Sequence, residues 1–169
     1  MPFVQSFAPV IGQSPRVLIL GSMPGIASLE AQQYYAHPRN AFWPLMGELL
    51  GETWVQDYAQ RIEQLKRHPV ALWDTLKACH RAGSLDSAIK PAQLVANDIV
   101  GLLQRHATLR LIAFNGAASE KYFRQTVAQK LPARSSIECI RLPSTSPAHA
   151  SKSWQQKLVD WRVIEAYLK

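Results

Sequence analysis

The sequence predicts an α/β fold, a three-layer α/β/α arrangement around a central, four-stranded and mostly parallel sheet. Four short runs, apolar or nearly so, predict strands that are covered on both faces by helices. These runs are Arg16–Leu20, Val70–Trp73, Leu109–Phe114 and Ile137–Leu142. Segments with helical periodicity alternate with them, at Ala41–Leu50, Val55–Lys66, Pro91–His106, Ala117–Gln129 and Ser151–Leu168. Pro91 is expected to be the first residue of its helix.

Length and composition predict one folded domain over residues 1–169. The chain has 169 residues, of which 47% are hydrophobic and 18% charged, so it can form a full core and is not a disordered chain. Its apolar runs are too short to cross a bilayer, and Met1–Pro9 lacks the features of a signal peptide. We therefore expect a monomer in the cytoplasm without membrane contact.

Cysteine and histidine patterns give no sign of a metal site. Cys79 and Cys139 form no CxxC pair, and the five histidines include neither HExxH nor HxH. We expect both cysteines to be reduced and buried, and we expect neither a metal nor a cofactor.

The charge of the chain points to a polyanionic partner. Its formal net charge is +7, with basic residues spread along the sequence instead of gathered in a tail. Nucleic acid is the commonest partner of such a protein. On charge alone, a basic protein without a polyanionic partner remains the alternative.

Residues directly after the strands are the first candidates for a site, because ligands of α/β sheets bind beyond the carboxyl ends of the strands. Gly21–Gly25 (GSMPG) follows the first strand and lets a backbone approach a ligand closely, or is an ordinary tight turn. Asp74 follows the second strand, where its carboxylate can accept a hydrogen bond from a ligand or cap a turn. Asn115 and Gly116 follow the third and are interpreted as a structural turn.

Two further segments carry possible binding residues. Tyr34–Pro44 (YYAHPRNAFWP) combines aromatic, basic and amide side chains before a helix, and its Asn40 is alternatively that helix's N-cap. Leu142–Ala150 (LPSTSPAHA) is a stiff loop with hydroxyl groups suited to phosphates, or a plain connection to the last helix.

Together these segments resemble the uracil-DNA glycosylase superfamily over nearly the whole chain. Gly21–Gly25 resembles its first motif, which reads glycine-x-asparagine-proline-glycine in the mismatch-specific branch. Ala36–Trp43 is similar to that branch's histidine-proline-x-asparagine-x-phenylalanine-tryptophan stretch. Leu142–Ala148 resembles the second motif, a loop that enters the minor groove of DNA. The resemblance implies the α/β fold of that superfamily and DNA, double- or single-stranded, as the partner.

One departure indicates the branch. Met23 stands where the mismatch-specific enzymes have a catalytic asparagine, and a methionine cannot hold a water molecule for attack. A GSMPG motif combined with Asn40 resembles the hypoxanthine-DNA glycosylase branch, which implies that Asn40 is the catalytic residue. Trp73-Asp74 and Gly83–Ser87 also resemble that branch. The iron–sulfur branches need four cysteines, and this chain has two.

The resemblance therefore implies a monofunctional glycosylase that hydrolyses the N-glycosidic bond of a flipped-out deaminated base in base excision repair. Hypoxanthine is the expected base, with Asn40 holding the water molecule. The expected base-binding residues are Gly21, Ser22, Met23, Tyr35 and Asp74. The expected DNA-binding residues are His37, Arg39, Ser144, Thr145, Ser146, Pro147, Ala148 and His149.

Three other functions remain as alternatives. The first is a glycosylase of the same superfamily that acts on uracil or on several deaminated bases. The second is a non-catalytic DNA-binding module in which Asn40 only caps its helix. The third is a hydrolase using Ser144 or Ser146 with His149, which is disfavoured because the chain lacks a GxSxG motif.

Overall fold

A largely parallel sheet runs through the middle of the protein, whose structure is a computed structural model describing residues 2–169. The strands within these residues are β1 (Phe3–Gln5), β2 (Val10–Ile11), β3 (Val17–Gly21), β4 (Val70–Asp74), β5 (Leu76–His80), β6 (Val95–Ala96), β7 (Leu111–Asn115) and β8 (Glu138–Leu142). The α-helices are α1 (Ile26–Ala31), α2 (Phe42–Leu50), α3 (Tyr58–Lys66), α4 (Ile99–Arg105), α5 (Ala117–Thr126) and α6 (Trp154–Trp161). Short 3-10 helices cover Asp86–Ala88, Ala128–Lys130 and Arg162–Tyr167.

Within the described residues the central sheet has five strands, in the spatial order β2-β4-β3-β7-β8. The four longer strands are parallel, and the two-residue β2 runs antiparallel to β4. The α/β class and all four predicted strands are therefore confirmed. The sequence analysis did not include the fifth strand, nor a second, antiparallel sheet in which β5 pairs with β1 and β6.

Alternate residues of β3 face opposite layers, as the twofold repeat of a strand requires. Val17 and Ile19 lie in a core with side chains of α2, α3 and α6. Leu18 and Leu20 lie in a second core with side chains of α4 and α5. Because both faces of β3 are covered, its sequence is apolar throughout, and its carboxyl end lies in the middle of the molecule.

The prediction of a helix over Pro91–His106 is wrong in its first half. The helix begins only at Ile99, where the Asp98 side chain accepts a hydrogen bond from a backbone N–H of the first turn. Val95–Ala96 instead forms β6, because it pairs with β5 in the second sheet. Pro91 consequently lies outside the helix that it was expected to begin. The other predicted helices are present with shorter bounds, and the last continues as a 3-10 helix.

Two elements occur where the sequence analysis treated the chain as loop. Helix α1 follows the Gly21–Gly25 turn, and strand β5 follows Asp74 almost directly. Strand β5 pairs with β1, near the beginning of the chain. Pairing over such a sequence distance leaves no local pattern for sequence analysis to detect.

One of the two cysteines departs from expectation. Cys79 is buried, whereas Cys139 is exposed on β8, the edge strand of the central sheet. Its neighbours Glu138 and Arg141 are exposed as well. The prediction that both thiols are buried is therefore wrong for Cys139.

No helix within residues 2–169 has the length and apolar character to span a membrane.

Equal truncations of two valines test where stability resides. Val17→Ala opens a cavity at a fully buried position, whereas Val159→Ala changes a side chain that is 69% exposed on α6. We expect Val17→Ala to lower the free energy of unfolding by about 2 kcal/mol, or roughly 4–8 °C in Tm. Val159→Ala is expected to change it by less than about 0.5 kcal/mol. Thermal unfolding followed by circular dichroism measures both, and equal losses would contradict the two-core description.

Candidate active site

A cavity of about 430 Å³ opens at the carboxyl ends of the central strands. It brings together nearly all the residues that the sequence analysis selected. Those lining it are Gly21, Ser22, Met23, Tyr35, His37, Arg39, Asn40, Asp74, Ser144, Thr145, Ser146, Pro147 and Ala148. His149 lies apart, lining a neighbouring depression with its Nε2 3.4 Å from the Ser151 hydroxyl.

The turn after β3 is held against the start of β5. The carbonyls of Gly21 and Ser22 accept hydrogen bonds from the N–H groups of Thr75 and Leu76, at 2.8 and 3.2 Å. A Cβ at position 21 would lie 2.4 Å from the nearer Asp74 carboxylate oxygen and 3.1 Å from the Tyr35 hydroxyl. Only glycine therefore lets these two side chains approach the turn.

Asn40 both ties down the start of its helix and lines the cavity. Its Oδ1 accepts the Phe42 N–H at 2.9 Å, and its own N–H donates to the His37 carbonyl at 2.9 Å. Because the Phe42 N–H can only donate, it fixes which end of the amide is oxygen. The Nδ2 group has no hydrogen-bond partner among residues 2–169. The amide is thus held in one orientation with its NH₂ group available.

Tyr35 is held in an unusual backbone conformation at the cavity wall. Its φ of 54° is in the left-handed region, which a tyrosine rarely adopts and which other contacts must maintain. One such contact is a stacked arrangement on Phe42, with ring centroids 4.1 Å apart. Another is the Tyr35 hydroxyl, which accepts a hydrogen bond from the Asn115 Nδ2 at 3.2 Å.

Asn115 links Tyr35 to the loop over residues 143–149. Its Nδ2 also donates to the Thr145 hydroxyl at 3.0 Å, and its Oδ1 accepts the Thr145 N–H at 2.9 Å. The Thr145 carbonyl in turn accepts the Ala41 N–H at 2.9 Å. The sequence analysis treated Asn115 as a turn residue and missed this role. The position of Asn115 at the end of a buried strand, like that of Asp74, was the sequence signal that could have identified it as a site residue.

Thr145 is a structural member of its loop. Its side chain is buried and bonded to Asn115, unlike the partly exposed Ser144 and Ser146. Lys157 of α6 is also buried, and its ammonium group donates to the Ser146 carbonyl at 3.3 Å. Burial lowers the pKa of Lys157. The loop is thus held from two sides while its serines remain accessible.

Asp74 is a carboxylate without its usual partners. Its side chain is buried, and its Oδ2 has no hydrogen-bond partner among the described residues. Burial and the nearby charge of Asp86 raise the pKa of Asp74 from 3.8 to about 7, against an opposing effect of Arg81. Buried carboxyls with raised pKa values are concentrated at functional sites.

Arg81, which was not selected from the sequence, is the positive charge that lowers the pKa of Asp74. Its guanidinium is 1% exposed and donates to the Pro24 carbonyl through Nη2. Its Nε and Nη1 have no partner among the described residues. A buried guanidinium without a carboxylate in contact is unusual, because burial of an unpaired charge costs several kcal/mol. Arg81 supports the first turn and moderates the negative potential around Asp74.

Comparison with known proteins agrees with this geometry. The family model of the Uracil DNA glycosylase superfamily matches residues 9–168. A protein from Methanosarcina barkeri named hypoxanthine DNA glycosylase is 42% identical over 119 residues, which cover 70% of this chain and 74% of that protein. A second protein named hypoxanthine DNA glycosylase, from Methanosarcina acetivorans, is 36% identical over 162 residues, which cover 95% of this chain and 96% of that protein.

A solved structure shows the same fold. It is a solution NMR structure from Methanosarcina acetivorans described as a candidate uracil DNA glycosylase, with a TM-score of 0.79, 34% identity and 99% of each chain covered. The chain belongs to the uracil-DNA glycosylase superfamily.

The raised pKa of Asp74 predicts a pH-dependent stability. Between pH 4 and 7 the folded protein keeps a proton that the unfolded carboxyl has lost, so stability falls as pH rises through this range. A shift to about 7 corresponds to a loss of roughly 4 kcal/mol by pH 8. Asp74→Asn removes this loss, so its Tm relative to the native protein is expected to rise steadily from pH 5 to pH 8.

Thermal melts across this pH range measure the difference. Glu63→Gln is the control, because its side chain is 72% exposed and the relative Tm of that variant is expected to stay flat. A flat profile for Asp74→Asn as well would contradict the assigned protonation.

Proposed function

We propose that this protein is a monofunctional DNA glycosylase that hydrolyses the N-glycosidic bond of deoxyinosine, releasing hypoxanthine and leaving an abasic site. The relatives' names support the substrate. The observation that carries the proposal is the cavity that is lined both by the fixed amide of Asn40 and by Asp74, whose Oδ2 has no partner among the described residues. A base excised in base excision repair must enter such a cavity.

The target nucleotide enters by leaving the base stack, at a cost of a few kcal/mol. Tyr35 lines the cavity with its ring already stacked on Phe42, so the ring is fixed before a base arrives. Stacking on such an aromatic ring contributes on the order of 1–3 kcal/mol. A prepositioned ring loses little freedom on binding, which favours the extruded state.

Asn40 positions the attacking water beside C1′ of the deoxyribose. An amide is a poor base, so the role of Asn40 is to orient the water molecule. A neutral water molecule is a sufficient nucleophile when the sugar already has oxocarbenium character. The Phe42 N–H fixes the Asn40 oxygen, leaving that oxygen's second lone pair and the NH₂ group for the water. One residue thereby holds the first N–H of α2 and carries the chemistry.

The departing base takes the electrons of the broken bond and becomes negatively charged, and it is released as neutral hypoxanthine once it gains the proton that the attacking water loses. Backbone N–H groups of the Gly21–Met23 turn stabilise this charge by donating to the carbonyl of the base. The absence of a Cβ at Gly21 lets the Asp74 carboxylate and the Tyr35 hydroxyl lie against this turn, beside the proposed position of the base. Met23 packs in a small apolar cluster with Leu76 and Cys79, which supports a packing role for Met23. The positioning of the water molecule is therefore assigned to Asn40.

Asp74 reads the base. Hypoxanthine carries an N1–H donor, which an ionised carboxylate accepts, whereas the N1 of adenine is itself an acceptor. The unpartnered Oδ2 has this acceptor capacity unused. Adenine would leave the buried carboxylate unsatisfied and repelled, which is a strong basis for discrimination.

DNA contacts come from the rim of the cavity and from the charge of the chain. Arg39 is exposed and His37 partly so, and the accessible hydroxyls of Ser144 and Ser146 face the same opening. The net charge of +7 adds general attraction to phosphates. Pro147 and Ala148 complete this rim, and His149 approaches phosphate from the adjoining depression.

We also propose that the protein is a single-domain monomer and that it acts in the cytoplasm.

The rival functions make different demands on the same residues. A hydrolase using Ser144 or Ser146 needs His149 as its base, yet the His149 ring is placed against Ser151 instead. A uracil or broad-range glycosylase would use the same amide and the same cavity. Excision from matched inosine and uracil oligonucleotides separates that function from the one proposed.

Substitution of Asn40 tests the catalytic role separately from the helix cap. Asn40→Ser keeps an oxygen that can accept the Phe42 N–H but is too short to hold the water, and Asn40→Ala removes both functions. We expect both variants to lose about a hundredfold or more in the single-turnover rate of inosine excision. Alkali-sensitive breaks in an inosine-containing duplex measure the rate, and gel shift measures binding, which should persist. Full activity in Asn40→Ser would show that Asn40 serves only as a cap.

Asp74 predicts a pH-dependent base preference. Below pH 7 a protonated Asp74 can donate to the N1 of adenine, so the inosine-over-adenine preference is expected to increase as pH rises through about 7. Asp74→Asn can donate at every pH and should lose at least about tenfold of the preference at pH 8. Rates on paired inosine and adenine oligonucleotides from pH 5.5 to 8.5 measure it. A native preference that persists in Asp74→Asn would remove Asp74 from base reading.

A further inference from the structure

Two exposed aliphatic side chains lie together at the mouth of the cavity. Leu85 is 57% exposed and Ile26 is 45% exposed, and both line the opening. Single exposed leucines are common on protein surfaces, but paired ones beside a binding cavity mark a contact surface. Because the cavity admits a base from a duplex, the surface at its mouth meets the neighbouring base pairs.

Leu85 is held outward by bonds on both sides of it. The Ser84 hydroxyl accepts the Ile26 N–H at 2.8 Å, and the Asp86 carboxylate accepts the Ser22 hydroxyl at 2.5 Å. Both neighbours of Leu85 are therefore tied to the segment over residues 22–26, which lines the cavity. With its flanking side chains directed to the protein, Leu85 is presented away from it.

The loop over residues 144–148 also lines the cavity but offers no comparable side chain. Its cavity-lining residues are Ser144, Thr145, Ser146, Pro147 and Ala148. Serine and alanine are too small to replace a base in the stack, and Thr145 is buried in hydrogen bonds to Asn115. Pro147 is only partly exposed, whereas Leu85 is 57% exposed. This loop is suited to gripping phosphates, and the exposed apolar bulk of the cavity lining lies in Leu85 and Ile26.

We propose that Leu85 is the wedge that enters the duplex and fills the space vacated by the flipped nucleotide, with Ile26 packing beside it. This inference rests on the proposed function. Proteins that distort DNA insert aliphatic side chains between base steps, because such a side chain replaces part of the lost stacking and excludes water. The assignment places the wedge in the segment after β5 and not in Leu142–Ala148, whose resemblance to the second motif implies a loop that enters the minor groove.

The test compares excision of inosine from duplex and from single-stranded DNA. Only the duplex requires a stacked base to be extruded and its place to be filled. Leu85→Ala is expected to lower the ratio of duplex to single-strand excision rates by about tenfold. Leu85→Met, which keeps the aliphatic bulk, should retain most of the ratio. Val159→Ala is the control, an equally apolar and more exposed truncation outside the cavity lining.

Each result has a separate meaning. An unchanged ratio in Leu85→Ala, or an equal loss on both substrates, would overturn the wedge assignment while leaving the glycosylase intact. Absence of excision by the native protein from both substrates would instead overturn the proposed function. Tm values of the three variants, expected to match the native protein, separate either result from misfolding.

Discussion

The side-chain amide of Asn115 is the interaction on which the rest of the site depends. It uses its oxygen and its NH₂ group to join three parts of the chain: the end of β7, the ring of Tyr35 and the backbone of Thr145. Thr145 passes the connection to Ala41, beside Asn40. Buried networks of this kind specify a unique arrangement only when each member is satisfied, and loss of one partner costs about 1–3 kcal/mol for each group left unpaired. A single amide thus holds Tyr35, the loop over residues 143–149 and the start of α2 in fixed relative positions.

Two buried ionisable side chains at the site lower the stability of the folded protein. Asp74 and Arg81 are both buried, and each has polar atoms without a partner within residues 2–169. A core built for stability alone would contain neither, since an unpaired buried charge is destabilising. Unused hydrogen-bonding capacity at a cavity wall is available to a ligand, and a ligand that satisfies it gains what the free protein lacks. Asp74 lines the cavity and can gain a hydrogen bond in this way, whereas Arg81 lies outside the cavity lining.

Local pattern and the family resemblance predicted the strands and selected most residues that line the cavity, and long-range pairing determined what they missed. The buried runs of β3, β4, β7 and β8 are apolar because both faces are covered, and strand ends converge at one edge of a parallel sheet. Asp74 could therefore be placed at this edge in advance, whereas the assignment of Asn40 came from the family resemblance. Strand β6 could not, because its apolar period also fits a helix and only pairing with β5 decides between them. Arg81 was missed for the same reason, since nothing in its neighbourhood of the sequence indicates that a charged side chain is buried.

The two borders of the central sheet differ from its interior in ways that affect association between copies. One border, β2, is only two residues long, and the other, β8, exposes Glu138 and Arg141. Unpaired backbone groups along a border can recruit a strand from another molecule, and short strands or charged side chains oppose such recruitment. If copies of the protein stacked in register along β8, Glu138 would lie near Glu138 and Arg141 near Arg141 of the next copy, and like charges so placed repel. The chain therefore carries a very apolar sheet while limiting the growth of fibrils from its rims.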